Sequence, residues 1–399
     1  MFDLSKHPYF EKYTDPASGV ESYILTKRIA TVQQHFYFSQ GSVTADGKYL
    51  WIRCSFPPAR HQSLAVVSLD PDNPFIRHFP HAAIEHCNGN LPCLTPEEDG
   101  AIFAIMDTVY KVDLSGTVTK LVSLDPDFVR NRSVERMFTH ASISCDGQYI
   151  ALDTRIADKY YLCLGNLKTG EVNVINNFGR CYNHGLFSPA KPDILLIDQD
   201  WWRDYHTGEY FPIDNRMWLV NTAGTYFEPV IPNMFYSRDG TSIAHDFWSG
   251  DGLLCWNDYC KGSFECDIDT KAITHVWKRP LCHAHASHDR QLWCADQSPY
   301  SWTQTPCRVL FYDRATNREI DIFPAMPIPT IPRSAYHLDP HPQFAAMDSC
   351  IVSTTTVLDG QADVAITPVA PLLELCRTKG TPVIPTAAPT DVYRYDPHR

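Results

Sequence analysis

The sequence has no apolar run approaching the ~18 residues that a membrane-spanning helix takes. Its opening, MFDLSKHPYFEKYTDP, lacks the basic start and apolar stretch of a secretory signal. No cluster of Lys or Arg appears and the formal charge is -12. Nucleic-acid binding needs a concentrated basic surface to replace phosphate counterions, so that class is argued against. The 14 Cys are scattered, without a Cys-x-x-Cys pair, which removes a zinc ribbon and a disulfide framework from consideration. Sustained helical periodicity is almost absent; APLLELC, Ala370 to Cys376, is the one candidate helix. Nor do two acidic residues recur at equivalent strand positions, as a paired-carboxylate glycosidase would require. These absences describe a soluble, cytoplasmic protein whose thiols are mostly buried, with no nucleic-acid or membrane partner and no signal of oligomeric state.

What the chain does have is apolar and aromatic residues: 44% hydrophobic, with 20 Tyr, 20 Phe and 9 Trp among 399 residues. One pattern recurs through them, a small or apolar entry, Ser or Thr, a turn often carrying Asp-Gly, then a hydrophobic strand. The copies are GSVTADGKYLWIRC from Gly41, PCLTPEEDGAIFAIM from Pro92, ASISCDGQYIALDT from Ala141, GLFSPAKPDILLID from Gly185, DFWSGDGLLCWND from Asp246, ASHDRQLWCAD from Ala286 and PQFAAMDSCIVST from Pro342. Their starts are 51, 49, 44, 61, 40 and 56 residues apart, the spacing of four short strands with their loops. A polar reversal follows each, as in YYLCLGNLKTGEVNVI and RVLFYDRATNREIDIF.

The pattern predicts an all-β protein, one seven-bladed β-propeller spanning the whole chain. The blades fall at 27–80, 81–128, 129–178, 179–232, 233–276, 277–325 and 326–377. The last unit lacks a clear fourth strand, and the N-terminal segment 18–26, SGVESYILT, supplies it, closing the ring and removing an open sheet edge. The Pro-rich tail 378–399 is expected to pack loosely.

Propellers carry ligand sites on the loops that lead into and out of their innermost strands. Histidines stand immediately before that strand in several units: His140, His184, His245, His283 with His285, and His341. Neutral imidazole is a common ligand for transition ions, so these residues form a candidate metal site, to which Asp339 adds an oxygen donor suited to a harder ion such as manganese. In DQDWWRDYHTGEYFPIDNRMW, Trp201, Trp202 and Tyr205 offer flat faces to sugar rings, and Arg216 stands before an apolar stretch.

Five stretches resemble the oligogalacturonate lyases, seven-bladed propellers of similar length. They are HFYFSQGSVTADGKYLWI near the start, YNHGLFSP, NRMWLVNTAG and AHDFWSGDG in the middle, and DPHPQF near the end. The resemblance implies cleavage of short galacturonides by β-elimination with a manganese or other divalent ion. It implies that Arg216 corresponds to the family's base, His245 to a histidine beside the reacting sugar, and His341 to a metal ligand. A further ligand is His283 or His285. The family carries Gln, two residues, then His-Pro-His, where this chain reads Tyr336, His337, Leu338, Asp339, Pro340, His341. Asp339 thus replaces a histidine, and His337 becomes a possible substitute ligand.

The residue types suit that chemistry. Removing the proton next to a uronate carboxylate requires a cation to neutralise the carboxylate, a base, and an acid for the leaving oxygen. Arginine is a poor base; the alternative role for Arg216 is to bind the carboxylate with two prongs while His245, or the pair Tyr182 and His184, moves the proton. His140 falls with the substrate-binding candidates. The partner expected is an acidic oligosaccharide, galacturonate-based or built on another uronate; a non-catalytic interaction scaffold is the competing reading.

Overall fold

A computed structural model describes residues 2–84, 89–231, 243–297, 306–331 and 336–385. Seven antiparallel sheets of four or five strands follow one another along the chain. The first pairs Val32–Gln34, Tyr49–Ser55, Gln62–Ser68 and Ile76–Ile84 in sequence order; the fifth to appear, Ile243–Trp248, Leu254–Asp258, Gly262–Cys266 and Ile273–Trp277, repeats that order. The fold is a seven-bladed β-propeller. Its second and third strands are apolar on both faces, as in Gln62–Ser68, where every residue is buried, while fourth strands such as Val118–Ser123 are largely exposed. That difference explains why the sequence reads as unbroken apolar runs rather than clean alternation.

The recurring Ser or Thr and Asp make one turn again and again. The hydroxyls of Thr44, Ser144, Ser249 and Ser287 donate to Asp46, Asp146, Asp251 and Asp289, at 2.6 to 2.8 Å. Glycine follows the Asp at three of these turns with φ of +70°, +71° and +89° (Gly47, Gly147, Gly252). Arg290 occupies that left-handed position in the fourth, φ +58°. A side chain there costs about 1–2 kcal/mol, and Arg290 is held by Asp251 and Glu265, at 2.7 and 3.0 Å.

Closure of the last blade follows the expected route and goes further. Glu21–Leu25 pairs with Asp363–Pro368 as its fourth strand, with Tyr23 opposite Ile366, and Ser22 and Thr367 share a hydrogen bond of 2.7 Å. Phe10–Thr14 adds a fifth strand outside it. The helix anticipated around Ala370–Cys376 runs Val369–Lys379. Beyond it, Thr381–Pro382 pairs with the strand Arg318–Met326, so the start of the tail is anchored rather than loose; residues 386–399 lie outside the described residues. No helix among the described residues is long and apolar enough to cross a membrane.

The chain divides into two compact units, residues 1–78, 240–267 and 272–399 in one, and 79–239 with 268–271 in the other. In the first, Leu25, Leu50, Ile52, Val67, Val352 and Ile366 build one apolar cluster and Phe311, Ile322, Leu372 and Cys376 belong to another. In the second, Ile102, Phe138, Ile150 and Leu152 pack together. The candidate residues are described unit by unit.

Candidate metal centre

In the first unit, His245 lies on the strand Ile243–Trp248 where the register slips between Ala244 and Phe247. Such a bulge adds a residue to one strand and turns its side chain. His245 there has φ +54°, and His337 and His341 are also left-handed, at +51° and +45°. This conformation disfavours any residue but glycine by about 1–2 kcal/mol, and strain of this kind concentrates at functional sites.

Behind these rings lies Asp296, 1% exposed, on the strand Leu292–Gln297. Its carboxylate accepts the His283 backbone N–H at 2.9 Å, the His283 ring Nδ1 at 2.9 and 3.1 Å, and the His341 backbone N–H at 3.2 Å. With Nδ1 engaged by a carboxylate, Nε2 is the nitrogen of His283 left to meet a cation, the arrangement that fixes tautomer and ring direction in metal-binding histidines. His341 is 1% exposed, and neither ring nitrogen has a hydrogen-bond partner among the described residues. Burial above all, then the neighbouring His283, His337, His35 and Arg53, push its pKa well below the ordinary value, so the imidazole is neutral and able to bind a cation. One ligand atom each from His283, His337 and His341 lies within 4.8 Å of the others. Two buried imidazoles and a part-buried third, one of them oriented by a carboxylate, fit a divalent transition ion.

The surroundings hold this group in place. His35 bonds through Nε2 to the His341 carbonyl at 2.7 Å and through Nδ1 to Thr354 Oγ1 at 3.0 Å, and Gln34 Nε2 donates to the His337 carbonyl at 2.9 Å. The rings of Tyr37 and Phe38 stand 4.7 Å from His341 and 5.4 Å from His283, centroid to centroid.

Each sequence candidate of this unit has a definite place. His285 is separate from the donor group: its Nδ1 accepts the Phe344 N–H at 3.2 Å, and its ring stacks on Phe247. Of the adjacent pair, His283 is therefore the member gathered with His337 and His341. Asp339 is buried and faces His337 Nε2 at 3.4 Å, outside the donor group among the described residues. Tyr336 packs against Val32, Leu338 and Ala362. His245 Nδ1 donates to the Cys282 carbonyl at 2.9 Å, leaving Nε2 as the basic nitrogen, 3.3 Å from the Tyr259 hydroxyl. A second donor group joins His245, Cys282 and His283.

In the second unit, His184 repeats the design of His245, with a register slip between Asn183 and Leu186 and φ +55°. Its ring meets Asn183 Oδ1 at 2.7 Å and lies 5.0 Å from the buried ring of His140. Arg216 Nη2 pairs with Asp198 at 2.8 Å, and Nη1 lies 3.7 Å from Asp200. Asp198 is fully buried. Such a partner holds the guanidinium in its charged form, which suits a carboxylate-binding cation and opposes a base. Tyr182 is core: it stacks on Phe178 at 4.3 Å, packs with Phe227, and takes the Gln199 amide on its hydroxyl at 3.0 Å. Burial raises its pKa. Trp202–Arg203 pairs with Tyr210–Phe211 in a small ribbon, where Trp202 stacks on Phe211; Trp201 and Tyr205 are exposed.

Asp296, Asp198, Tyr259, Cys282 and His35 were not anticipated from sequence. A signal existed for the two acids: IALDT, ILLIDQ and LWCADQ carry Asp at one place in the repeat. Asp153, in the first of these, likewise accepts from the Thr139 N–H at 2.7 Å, while Asp198 faces Arg216 and Asp296 holds His283.

No family model matches the chain. An oligogalacturonate lyase of Dickeya dadantii is 27% identical over 138 residues, an alignment spanning 33% of this chain and 33% of that protein. An oligogalacturonide lyase of Pectobacterium atrosepticum is 23% identical over 311 residues, 72% of this chain and 75% of that protein. Among solved structures, an oligogalacturonate lyase in complex with manganese superposes with a TM-score of 0.71 at 18% identity, over 90% of this chain and 96% of the other. The Vibrio parahaemolyticus oligogalacturonate lyase gives 0.71 at 17% identity and the same coverage. In sequence the chain is similar to curated oligogalacturonate lyases, and it shares their propeller fold.

Proposed function

We propose that the chain is a carbon–oxygen lyase that cleaves short uronic-acid oligosaccharides, galacturonides first among them, by β-elimination with a divalent ion such as manganese. The observation that carries this reading is the group His283, His337 and His341, the first and last of them buried, with Asp296 bonded to His283, in a chain that aligns with lyases. When bound, the ion neutralises the uronate carboxylate and so acidifies the adjacent carbon. His245, with its proton fixed on Nδ1, presents Nε2 as the base; Tyr259, whose hydroxyl meets that nitrogen, is placed to return a proton to the leaving oxygen. Arg216, charged against Asp198, binds a carboxylate. Trp201 and Tyr205 offer exposed faces for sugar rings. Eleven cysteines among the described residues are buried and outside any disulfide, which supports a cytoplasmic setting for the reaction.

The test is the rise in ultraviolet absorbance that an unsaturated uronate product gives. Purified protein, with manganese and with EDTA, is offered di- and trigalacturonate and a glucuronate-containing panel. A metal-dependent rise with galacturonides is expected. A rise with another uronide alone moves the substrate, a reading that Tyr336 and Asp339 at the altered ligand run favour. No rise with any of them, and no metal by elemental analysis, overturns the lyase reading in favour of an interaction scaffold.

A further inference from the structure

Cys282 belongs to no part of the reaction outlined above, yet its thiol is placed as a ligand. It is 1% exposed, its Sγ lies 3.8 Å from His245 Nδ1, and one ligand atom each from His245, Cys282 and His283 falls within 4.8 Å of the others. A tetrahedral ion with bonds of about 2.0 Å to nitrogen and 2.3 Å to sulfur sets those atoms roughly 3.5 Å apart. The S–N pair is already close to that spacing, and the remaining contraction is of the order of a side-chain rotation.

The backbone around Cys282 tolerates that change. Ligation through His245 Nδ1 would cost its bond to the Cys282 carbonyl, but Asn257 Nδ2 donates to the same carbonyl at 2.7 Å, so the oxygen keeps a partner. Ser263 in turn donates to Asn257 Oδ1 at 2.6 Å and holds that amide in place. His283 is common to both donor groups. Since Asp296 engages its Nδ1, one nitrogen serves both, and one ion at a time can use it.

We propose that Cys282, His245 and His283 form a second cation position, selective for zinc-class ions that accept a thiolate, and mutually exclusive with the position at His337 and His341. The chemistry of the donors separates the two. Thiolate is soft and draws zinc, cadmium or cobalt(II), whereas the other position offers imidazoles alone. Binding releases the thiol proton to solvent as the S–metal bond forms. Occupation would withdraw His245 from proton transfer, so a zinc-class ion acts here as an inhibitor. The inhibitory consequence rests on the function proposed above; the thiolate position does not.

The test uses the metal-stripped full-length protein titrated with cobalt(II), whose bond to thiolate gives a charge-transfer band that imidazole ligands do not. The band is expected in the parent, absent in Cys282→Ser and Cys282→Ala, and weakened at least about tenfold in apparent affinity in His245→Gln. Circular dichroism checks that the variants are folded. Total metal should stay at one ion per chain when cobalt(II) is added to manganese-loaded protein. No band in the parent, or a band that survives in a folded Cys282 variant, overturns the position; two ions bound together overturn its exclusivity. A thiolate band in a protein that cleaves no uronide would sink the functional reading alone.

Discussion

Replacing Asp296 by Asn keeps the size of the side chain and changes one thing, the number of acceptors facing buried N–H groups. In the parent, two carboxylate oxygens receive the His283 N–H, the His283 ring and the His341 N–H. In Asp296→Asn one oxygen becomes an NH2 group that faces a donor, so at least one buried N–H loses its acceptor. That loss costs about 1–3 kcal/mol of folding stability. The second effect falls on the metal: freeing the His283 ring from its orienting carboxylate typically lowers affinity about 10- to 100-fold. Two measurements separate them. Thermal unfolding in EDTA reads the fold without metal, and manganese titration of stripped protein at a temperature where both forms are folded reads the ligand. Both are expected to fall. Unchanged manganese affinity in a folded Asp296→Asn variant would refute the assignment of His283 Nε2 as a ligand atom set by Asp296.

Further outcomes follow from other contacts. His35 is buried between His341 and Thr354, and burial lowers its pKa to about 3. The unfolded chain therefore binds the extra proton first, and stability is lost as pH falls below the ordinary histidine value; in urea titrations of stripped protein, His35→Gln should lose about 2 kcal/mol less than the parent between pH 7 and pH 5. Equal losses would contradict the burial of a neutral ring. Arg216→Ala removes the cation beside fully buried Asp198 and should destabilise by up to about 3–5 kcal/mol, whereas Arg216→Lys should melt near the parent and raise KM for uronides, a split visible in steady-state kinetics. Gly262→Ala would place Cβ 1.9 Å from the Trp277 carbonyl at φ +116°, beyond about 4 kcal/mol of destabilisation and read as insoluble expression, while Gly179→Ala, with nothing within 4 Å, should shift stability by less than about 0.5 kcal/mol.

Much of the architecture could be read in advance because each blade repeats one solution to one problem. A sheet buried on both faces needs continuous apolar strands, and a tight reversal between them needs Ser or Thr, Asp and a left-handed residue, so the pattern recurs wherever a blade does. Arg290 shows the limit of such reading, since an arginine at the glycine position is tolerated only through Asp251 and Glu265, which come from elsewhere in the chain. The histidines were visible for a related reason: their place at or beside the start of a blade's first strand is a repeat position. Tyr182 occupies a similar place and turned out to be core, because its ring finds Phe178 and Phe227 to pack on.

By itself the sequence determined the class of fold, the closure of the last blade by the N-terminal strand, and a short set of imidazoles worth inspecting, because these follow from local periodicity and turn chemistry. Tertiary structure decided which imidazoles act together. His283 rather than His285 joins His337 and His341, Asp339 faces a histidine, and Asp296 sets a tautomer. Cys282 stands beside His245, although 37 residues separate them. Those choices depend on left-handed bulges and on carboxylates from neighbouring strands, whose distances in space no spacing along the chain records.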